Sequence, residues 1–240
     1  MRPRSDMLPY FYIHAYEKGQ PEIVLDEDNS RHIVQVLRMA AGNPLLLTDG
    51  KGALLKGMIL DAHKKKCIVQ VQASDYQPAP EKKTCIAISL LKNASRFEWF
   101  LEKATEIGIG RIVPLLCERT EKQHFRQDRM QNILISAMLQ SQQAWLPDLG
   151  GPTPFAHIVE RAEQQQRFIA HCLEEERISL ADIPLAPGPT PIILIGPEGD
   201  FSRNEIELAL QYKFLPVTLG RTRLRTETAG IVAATLLQIR

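Results

Sequence analysis

The sequence predicts an α/β protein in which a small β-barrel precedes a second domain built around a mostly parallel sheet. Three observations predict this. Short apolar runs separated by turn residues fill about the first 75 residues. The segment Tyr76–Lys83 is rich in proline and charge, which is the composition of a linker. Beyond it, apolar runs alternate with helical patterns, which indicates βα units.

The first region contains runs with strand composition, separated by turn sequences such as Gly42-Asn43-Pro44 and Asp49-Gly50-Lys51-Gly52. A helix interrupts them, and Ile33, Val34 and Leu37 follow one apolar stripe along it. We therefore expect a small barrel with one helix. The predicted strands are Tyr10–Tyr16, Leu45–Asp49, Leu54–Leu60 and Cys67–Ala73, and the predicted helix is Ser30–Met39.

The second region alternates strands and helices. Ser95 and Glu98 have the spacing of a capping box at a helix start, and Gly108 suits the end of that helix. The same spacing recurs at Ser202 and Glu205. The predicted strands are Thr84–Leu90, Arg111–Leu116, Arg167–Cys172, Pro191–Ile195 and Pro216–Leu219. Further helices are expected over Arg126–Trp145 and Pro154–Gln165, and from about Thr228 to the end. We place the domains at residues 1–75 and 84–240, with the linker at 76–83.

Composition excludes several classes of protein. The chain has 240 residues, 44% of them hydrophobic, which is ordinary for a globular protein. No apolar run approaches the roughly 20 residues that span a bilayer, and the N-terminus does not resemble a signal peptide, so we expect a cytoplasmic protein without a membrane partner. The cysteines are scattered without metal-ligand spacing, so neither disulfides nor a metal site is predicted.

The sharpest local pattern is Gly196-Pro197-Glu198-Gly199, a tight turn between a buried strand and a capped helix. In an open α/β sheet, ligands bind beyond the carboxyl ends of the strands, so this turn is a candidate cofactor loop. It lacks the glycine and lysine spacing of the loops that bind dinucleotides or nucleoside triphosphates. Taken alone, an ordinary strand-to-helix turn explains the pattern as well as a binding loop does.

A second loop repeats this arrangement one strand later. Leu219-Gly220 ends a strand, and Thr226-Glu227-Thr228 begins the last helix. Arg221, Arg223 and Arg225 lie between them, although the formal net charge of the whole chain is only +1. Three arginines close to the amino end of a helix favour contact with phosphate. The two loops together predict a ligand site with a positively charged margin.

The two motifs together, GPEG-x-F-S-x-x-E and LG-x-x-x-LRTETA, resemble the RsmE family of 16S ribosomal RNA uridine N3-methyltransferases in the SPOUT superfamily. Further similar segments are His32–Arg38, Lys103–Gly108, Pro114 and Glu118-Arg119, so the resemblance covers nearly the whole chain. It implies a PUA-like barrel that binds RNA and a catalytic domain with a trefoil knot. It also implies S-adenosylmethionine as the cofactor, 16S ribosomal RNA within the small subunit as the substrate, and a homodimer.

The resemblance also implies roles for individual residues. We expect Arg225 to stabilise negative charge on a uracil whose N3 is presented unpaired or flipped, and Glu198, Glu227 or water to take the proton. The alternative is that both carboxylates are structural and bond backbone amides of the cofactor loops. The expected cofactor residues are Leu194, Ile195, Gly196, Pro197, Glu198, Gly199, Leu219, Gly220, Leu224, Arg225, Thr226, Thr228 and Ala229. The expected RNA contacts are Arg2, Arg4, Arg31, Arg38, Arg119, Arg221 and Arg223.

The sequence departs from the family pattern in two features. Asp200 stands where the family usually has glycine, and Leu139 to Gln143 lacks the charged pair of the family's E-Q-S-x-R segment. The alternatives are a SPOUT methyltransferase acting on another RNA or on a ribose hydroxyl, and a non-catalytic RNA-binding protein of ribosome assembly. Cofactor binding separates the last alternative from the others.

Overall fold

The computed structural model describes residues 8–81, 83–121, 123–173, 177–185 and 190–239. The chain divides into two compact units. The first comprises Met1–Ala79 and Met138–Leu146, and the second comprises Pro80–Ala137 and Pro147–Arg240. The return of the chain to the first unit at Met138–Leu146 was not predicted from the sequence.

The first unit contains a five-stranded sheet in the order β1-β3-β4-β5-β2. Strand β1 is parallel to β3, and the other pairs are antiparallel. Irregularities in the β4–β5 pairing, at Lys56/Gly57 and Ile59/Asp61, favour curvature of the sheet. The predicted small barrel is observed as a curled five-stranded sheet, with β2 as an additional strand. The strands are β1 Tyr10–Tyr12, β2 Glu22–Val24, β3 Pro44–Thr48, β4 Ala53–Asp61 and β5 Ile68–Tyr76.

The helix of the first unit differs from its prediction. Helix α1, Glu27–Arg31, begins at Asp26, whose carboxylate accepts a hydrogen bond from the Asn29 amide at 2.7 Å, and it continues as a π-helix over His32–Val36. The wider π-helical turn changes which side chains face inward, so Ile33 is fully buried whereas Leu37 is 42% exposed. The prediction that Leu37 shares the buried stripe was therefore wrong.

The second unit contains a parallel sheet in the order β11-β13-β10-β12-β6-β7-β8, with β9 paired to β7. All residues of β6 and β12 are buried, as expected for central strands of a parallel sheet covered on both faces. The five predicted strands are confirmed within one or two residues, while the short β8, β9 and β11 were not predicted. The strands are β6 Cys85–Ser89, β7 Arg111–Leu116, β8 Asp148–Leu149, β9 Thr153–Pro154, β10 Gln166–Ala170, β11 Ile178–Ser179, β12 Pro191–Ile195 and β13 Leu215–Thr218.

The remaining helices are α2 Ala94–Ile107, α3 Gln127–Gln140, α4 Phe155–Glu160, α5 Arg203–Gln211 and α6 Thr226–Gln238. The capping box at Ser202 and Glu205 is confirmed. The one predicted at Ser95 is wrong, because the Asn93 side chain caps α2 by accepting a bond from the Ser95 amide. Helix α3 stops before Trp145, since Gln142 adopts a left-handed conformation with φ 58°. Among the described helices, none is long and apolar enough to span a membrane.

Candidate functional site

Two adjoining cavities lie at the carboxyl ends of β10, β12 and β13. The first, here called the Pro197 cavity, has a volume of about 300 Å³, and the second, the Gly220 cavity, about 330 Å³. They share the lining residues Ala170, Cys172, Arg223, Leu224 and Ala229. The two loops singled out in the sequence therefore line this pair of cavities, together called the depression, at the edge where ligands bind in α/β sheets.

The loop after β12 forms a tight turn at the Pro197 cavity. The Asp200 amide donates to the Pro197 carbonyl at 2.9 Å. Asp200 has φ 63°, a left-handed conformation that glycine adopts readily and that aspartate tolerates better than most residues. Its carboxylate accepts hydrogen bonds from the amides of Cys172 at 2.8 Å and Phe201 at 2.9 Å. The aspartate therefore ties this loop to the end of β10.

The loop after β13 lines both cavities. Gly220 has φ 145°, and the Thr218 hydroxyl donates to the Gly220 carbonyl at 2.8 Å. Arg221, Arg223 and Arg225 are all exposed. Arg223 and Arg225 line the Pro197 cavity, and Arg221 and Arg223 line the Gly220 cavity. The positive margin expected from the sequence therefore borders the depression.

Most of the expected cofactor residues line these cavities. Three do not. The Leu194 side chain is fully buried in the hydrophobic core, so it cannot reach a ligand, while Gly199 and Thr228 lie outside the lining of both cavities. The expected residues that line the Pro197 cavity are Ile195, Gly196, Pro197, Glu198, Leu224, Arg225, Thr226 and Ala229. Leu219 and Gly220, with Leu224 and Ala229 again, line the Gly220 cavity.

The two candidate carboxylates have different environments. Glu198 is exposed, lines the Pro197 cavity and accepts a hydrogen bond from the Lys92 amide at 3.3 Å. Glu227 is 7% exposed, lies 3.7 Å from the Arg96 guanidinium and lines neither cavity. Glu198 therefore lies at the cavity surface, whereas Glu227 is buried beside Arg96.

The expected RNA contacts are dispersed. Arg2 and Arg4 lie outside the described residues. Arg31 forms an ion pair with Glu27 at 2.9 Å, while Arg38 is exposed with φ 54°. Arg119 is exposed, and its guanidinium donates to the carbonyl oxygens of Gly199 and Phe201 in its own chain.

Several residues that line the cavities were not among the predicted binding residues. Asp200, Cys172 and Arg177 line the cavities, and so does the buried His171. The sequence gives only a weak signal for these residues, because they can be assigned to the cavities only once β10 is known to lie between β12 and β13. Strand order follows from tertiary packing and is not set by local pattern.

The cysteines provide a direct test of the cavity. Burial raises the pKa of Cys85 and of Cys117 to about 12, and it also raises the pKa of Cys67, so these thiols stay protonated. Cys172 is exposed and lines both cavities. We expect a thiol reagent to modify Cys172 alone in the folded protein, as read by peptide mass spectrometry. A ligand in the cavity should slow that modification, whereas rapid labelling of Cys85 would contradict the structure.

Family comparisons agree with this geometry. The family model described as an RNA methyltransferase domain matches residues 78–238, and the one described as an RNA methyltransferase PUA domain matches residues 25–72. A ribosomal RNA small subunit methyltransferase E from Synechocystis is 30% identical over 218 residues, which cover 88% of this chain and 71% of the relative. The chain belongs to the ribosomal RNA small subunit methyltransferase E family.

Solved structures support the same family. A probable rRNA-methyltransferase from Porphyromonas gingivalis is 39% identical, with a TM-score of 0.88 over 97% of this chain and 99% of the other. A ribosomal RNA small subunit methyltransferase E from Neisseria gonorrhoeae, bound to S-adenosyl methionine, is 25% identical, with a TM-score of 0.86 over 97% and 98% of the two chains. The family fold thus accounts for both units.

Proposed function

We propose that this protein transfers the methyl group of S-adenosylmethionine to N3 of a uridine in 16S ribosomal RNA, within the small ribosomal subunit. The observation that carries the proposal is the depression formed by the adjoining Pro197 and Gly220 cavities in a chain of this family. We further propose that the enzyme is a cytoplasmic homodimer whose second unit has the trefoil knot of the SPOUT superfamily.

The lining of the cavities fits this cofactor. Ile195, Leu224 and Ala229 offer apolar surface for an adenine ring. The carboxylates of Glu198 and Asp200 suit the positive charges of S-adenosylmethionine. A Cβ at Gly196 would lie 3.2 Å from the Phe201 ring, so glycine at this position lets the loop backbone pack closely on Phe201.

The methyl acceptor needs help from the protein because uracil N3 carries a weakly acidic proton. When bound, S-adenosylmethionine supplies a methyl group on a positively charged sulfur. In our proposal Glu198 accepts the N3 proton, since its carboxylate lines the cavity. Arg225 stabilises the negative charge that develops on the uracil oxygens. N3 would form the new bond to the methyl carbon as the bond from that carbon to sulfur breaks, which would leave the thioether S-adenosylhomocysteine.

RNA must present an unpaired base, because pairing hides the N3 edge. We propose that Arg221 and Arg223 hold the phosphates that flank this base, since both are exposed beside the cavities. Arg38 of the first unit supplies a further contact to RNA. Because such contacts release counterions, RNA affinity is expected to fall steeply with salt.

The test is methylation with isotopically labelled S-adenosylmethionine of three substrates: unmodified small subunits, free 16S ribosomal RNA and transfer RNA. Digestion and mass spectrometry should identify 3-methyluridine from the small subunits. Label on a ribose hydroxyl or on transfer RNA would contradict the proposed target. If calorimetry of the folded protein with S-adenosylmethionine gave no heat and no label appeared, the chain would be a non-catalytic RNA-binding protein.

A further inference from the structure

Arg119 lies on a turn that follows β7, and its side chain reaches the loop after β12. One of its terminal nitrogens donates to the Gly199 carbonyl at 2.7 Å and, more weakly, to the Phe201 carbonyl at 3.4 Å. Its aliphatic part also packs near Gly199, since a Cβ built there would lie 3.5 Å from the arginine Cδ. The guanidinium therefore holds the segment that directly follows Glu198.

The turn that carries Arg119 is itself fixed by buried polar groups. The Thr120 hydroxyl accepts a bond from the Cys117 amide and pairs with the Ser89 hydroxyl, both at 2.9 Å. The Glu118 amide donates to the Glu205 carboxylate at 2.9 Å. Thr120 is 8% exposed and Glu205 9% exposed, so water competes little for these bonds. The backbone that carries Arg119 is thus held rigidly.

Glu205 links this turn to the same loop by a second route. Its other carboxylate oxygen accepts a bond from the Ser202 amide at 2.8 Å, while the Ser202 hydroxyl accepts one from the Glu205 amide at 3.3 Å. One buried carboxylate therefore fixes both the start of α5 and the turn that carries Arg119. The loop between β12 and α5 is held at its carboxyl end by this network.

We propose that Arg119 is a positioning residue for the cofactor loop, and that it does not serve primarily as an RNA contact. This inference rests on the proposed function, in which Gly196–Glu198 contact S-adenosylmethionine. An arginine that donates to backbone carbonyls orders the loop before the cofactor arrives, which lowers the entropic cost of binding. In this role the guanidinium stabilises the conformation of the loop and does not bind phosphate.

The decisive variants are Arg119→Ala and Arg119→Lys. Arg203→Ala is the control, because it removes the same charge as Arg119→Ala. Arg203 is exposed on α5 and lines neither cavity. By calorimetry, Arg119→Ala should weaken S-adenosylmethionine binding by about tenfold or more, the effect expected for loss of a hydrogen bond from a charged donor. Arg119→Lys keeps a charged donor that can bond one carbonyl, so it should recover part of the affinity for S-adenosylmethionine. Filter binding of 16S ribosomal RNA should change by less than about twofold in either variant, because the contact is internal to the chain.

Hydrogen exchange tests the inference without any cofactor. In the Arg119→Ala variant, peptides covering 196–202 should exchange faster than the same peptides of the wild type and of Arg203→Ala. Amides elsewhere in the sheet should still exchange slowly. Unchanged exchange in this loop, or a loss of RNA affinity with cofactor affinity intact, would overturn the proposal. If the wild type binds no S-adenosylmethionine, the proposed function fails, while the exchange result still decides whether Arg119 orders the loop. Should Arg119→Ala not fold, Arg119→Lys carries the same comparison.

Discussion

Replacing Arg225 by alanine is expected to lower the rate of methyl transfer by about a hundredfold or more, the usual loss when a donor to developing negative charge is removed. Arg225 lines the Pro197 cavity. It is also the N-cap residue of α6, but its side chain makes no capping hydrogen bond. Alanine therefore removes the guanidinium without removing a cap, and the fold should persist. Single-turnover methylation with labelled S-adenosylmethionine measures the effect.

Two control variants distinguish the loss of positive charge from the loss of the guanidinium's hydrogen-bond donors. Arg225→Lys keeps the positive charge but loses the planar, two-pronged donor, so it should recover only part of the rate. Arg203→Ala removes a charge from the exposed start of α5 and should leave the rate unchanged. A wild-type rate for Arg225→Ala would exclude the proposed role of this residue.

Replacing Gly230 by valine is expected to cost about 1–3 kcal/mol of the free energy of unfolding, the usual range for inserting volume into a packed core. A Cβ at this position would lie 2.6 Å from the Phe100 ring and 2.9 Å from Ile88 Cδ1. Both neighbours are fully buried, so neither can move aside easily. Chemical denaturation followed by circular dichroism measures the change.

Gly151 offers a matched control, because a Cβ there would meet no atom within 4 Å. Gly151→Val should therefore change the free energy of unfolding by no more than about 0.5 kcal/mol. Gly230→Val should also weaken cofactor binding, since α6 begins beside the Pro197 cavity and would shift with its packing face. Equal stability of the two variants would contradict the close packing of α2 on α6.

Local pattern was sufficient to predict the main strands of the second unit and both loops that line the cavities. Strand β12 is a continuous apolar run followed by glycine and proline, and the start of α5 has serine and glutamate at capping-box spacing. These features depend on neighbours in sequence, which is why they could be predicted. The resemblance then added the cofactor and the substrate, which periodicity alone does not supply.

Features that depend on tertiary packing were less predictable. Glu198 and Glu227 have the same side chain, and only the packing of α6 shows that Glu227 is buried beside Arg96. Arg119 was expected to contact RNA, and only the tertiary structure shows that its guanidinium donates to a carbonyl of a loop 80 residues away. Leu37 was misplaced because a π-helical turn changes the helical register.

The segment Met138–Leu146 has a consequence for the order of folding during synthesis. Within the first unit, the Gly52 amide donates to the Ala144 carbonyl, the Leu146 amide donates to the Gly50 carbonyl and the Trp145 indole donates to the Gln77 carbonyl. None of these bonds can form until the ribosome has released residues well beyond the barrel strands. The N-terminal unit is thus translated first but completed late, and a nascent chain stopped before Leu146 should remain sensitive to protease.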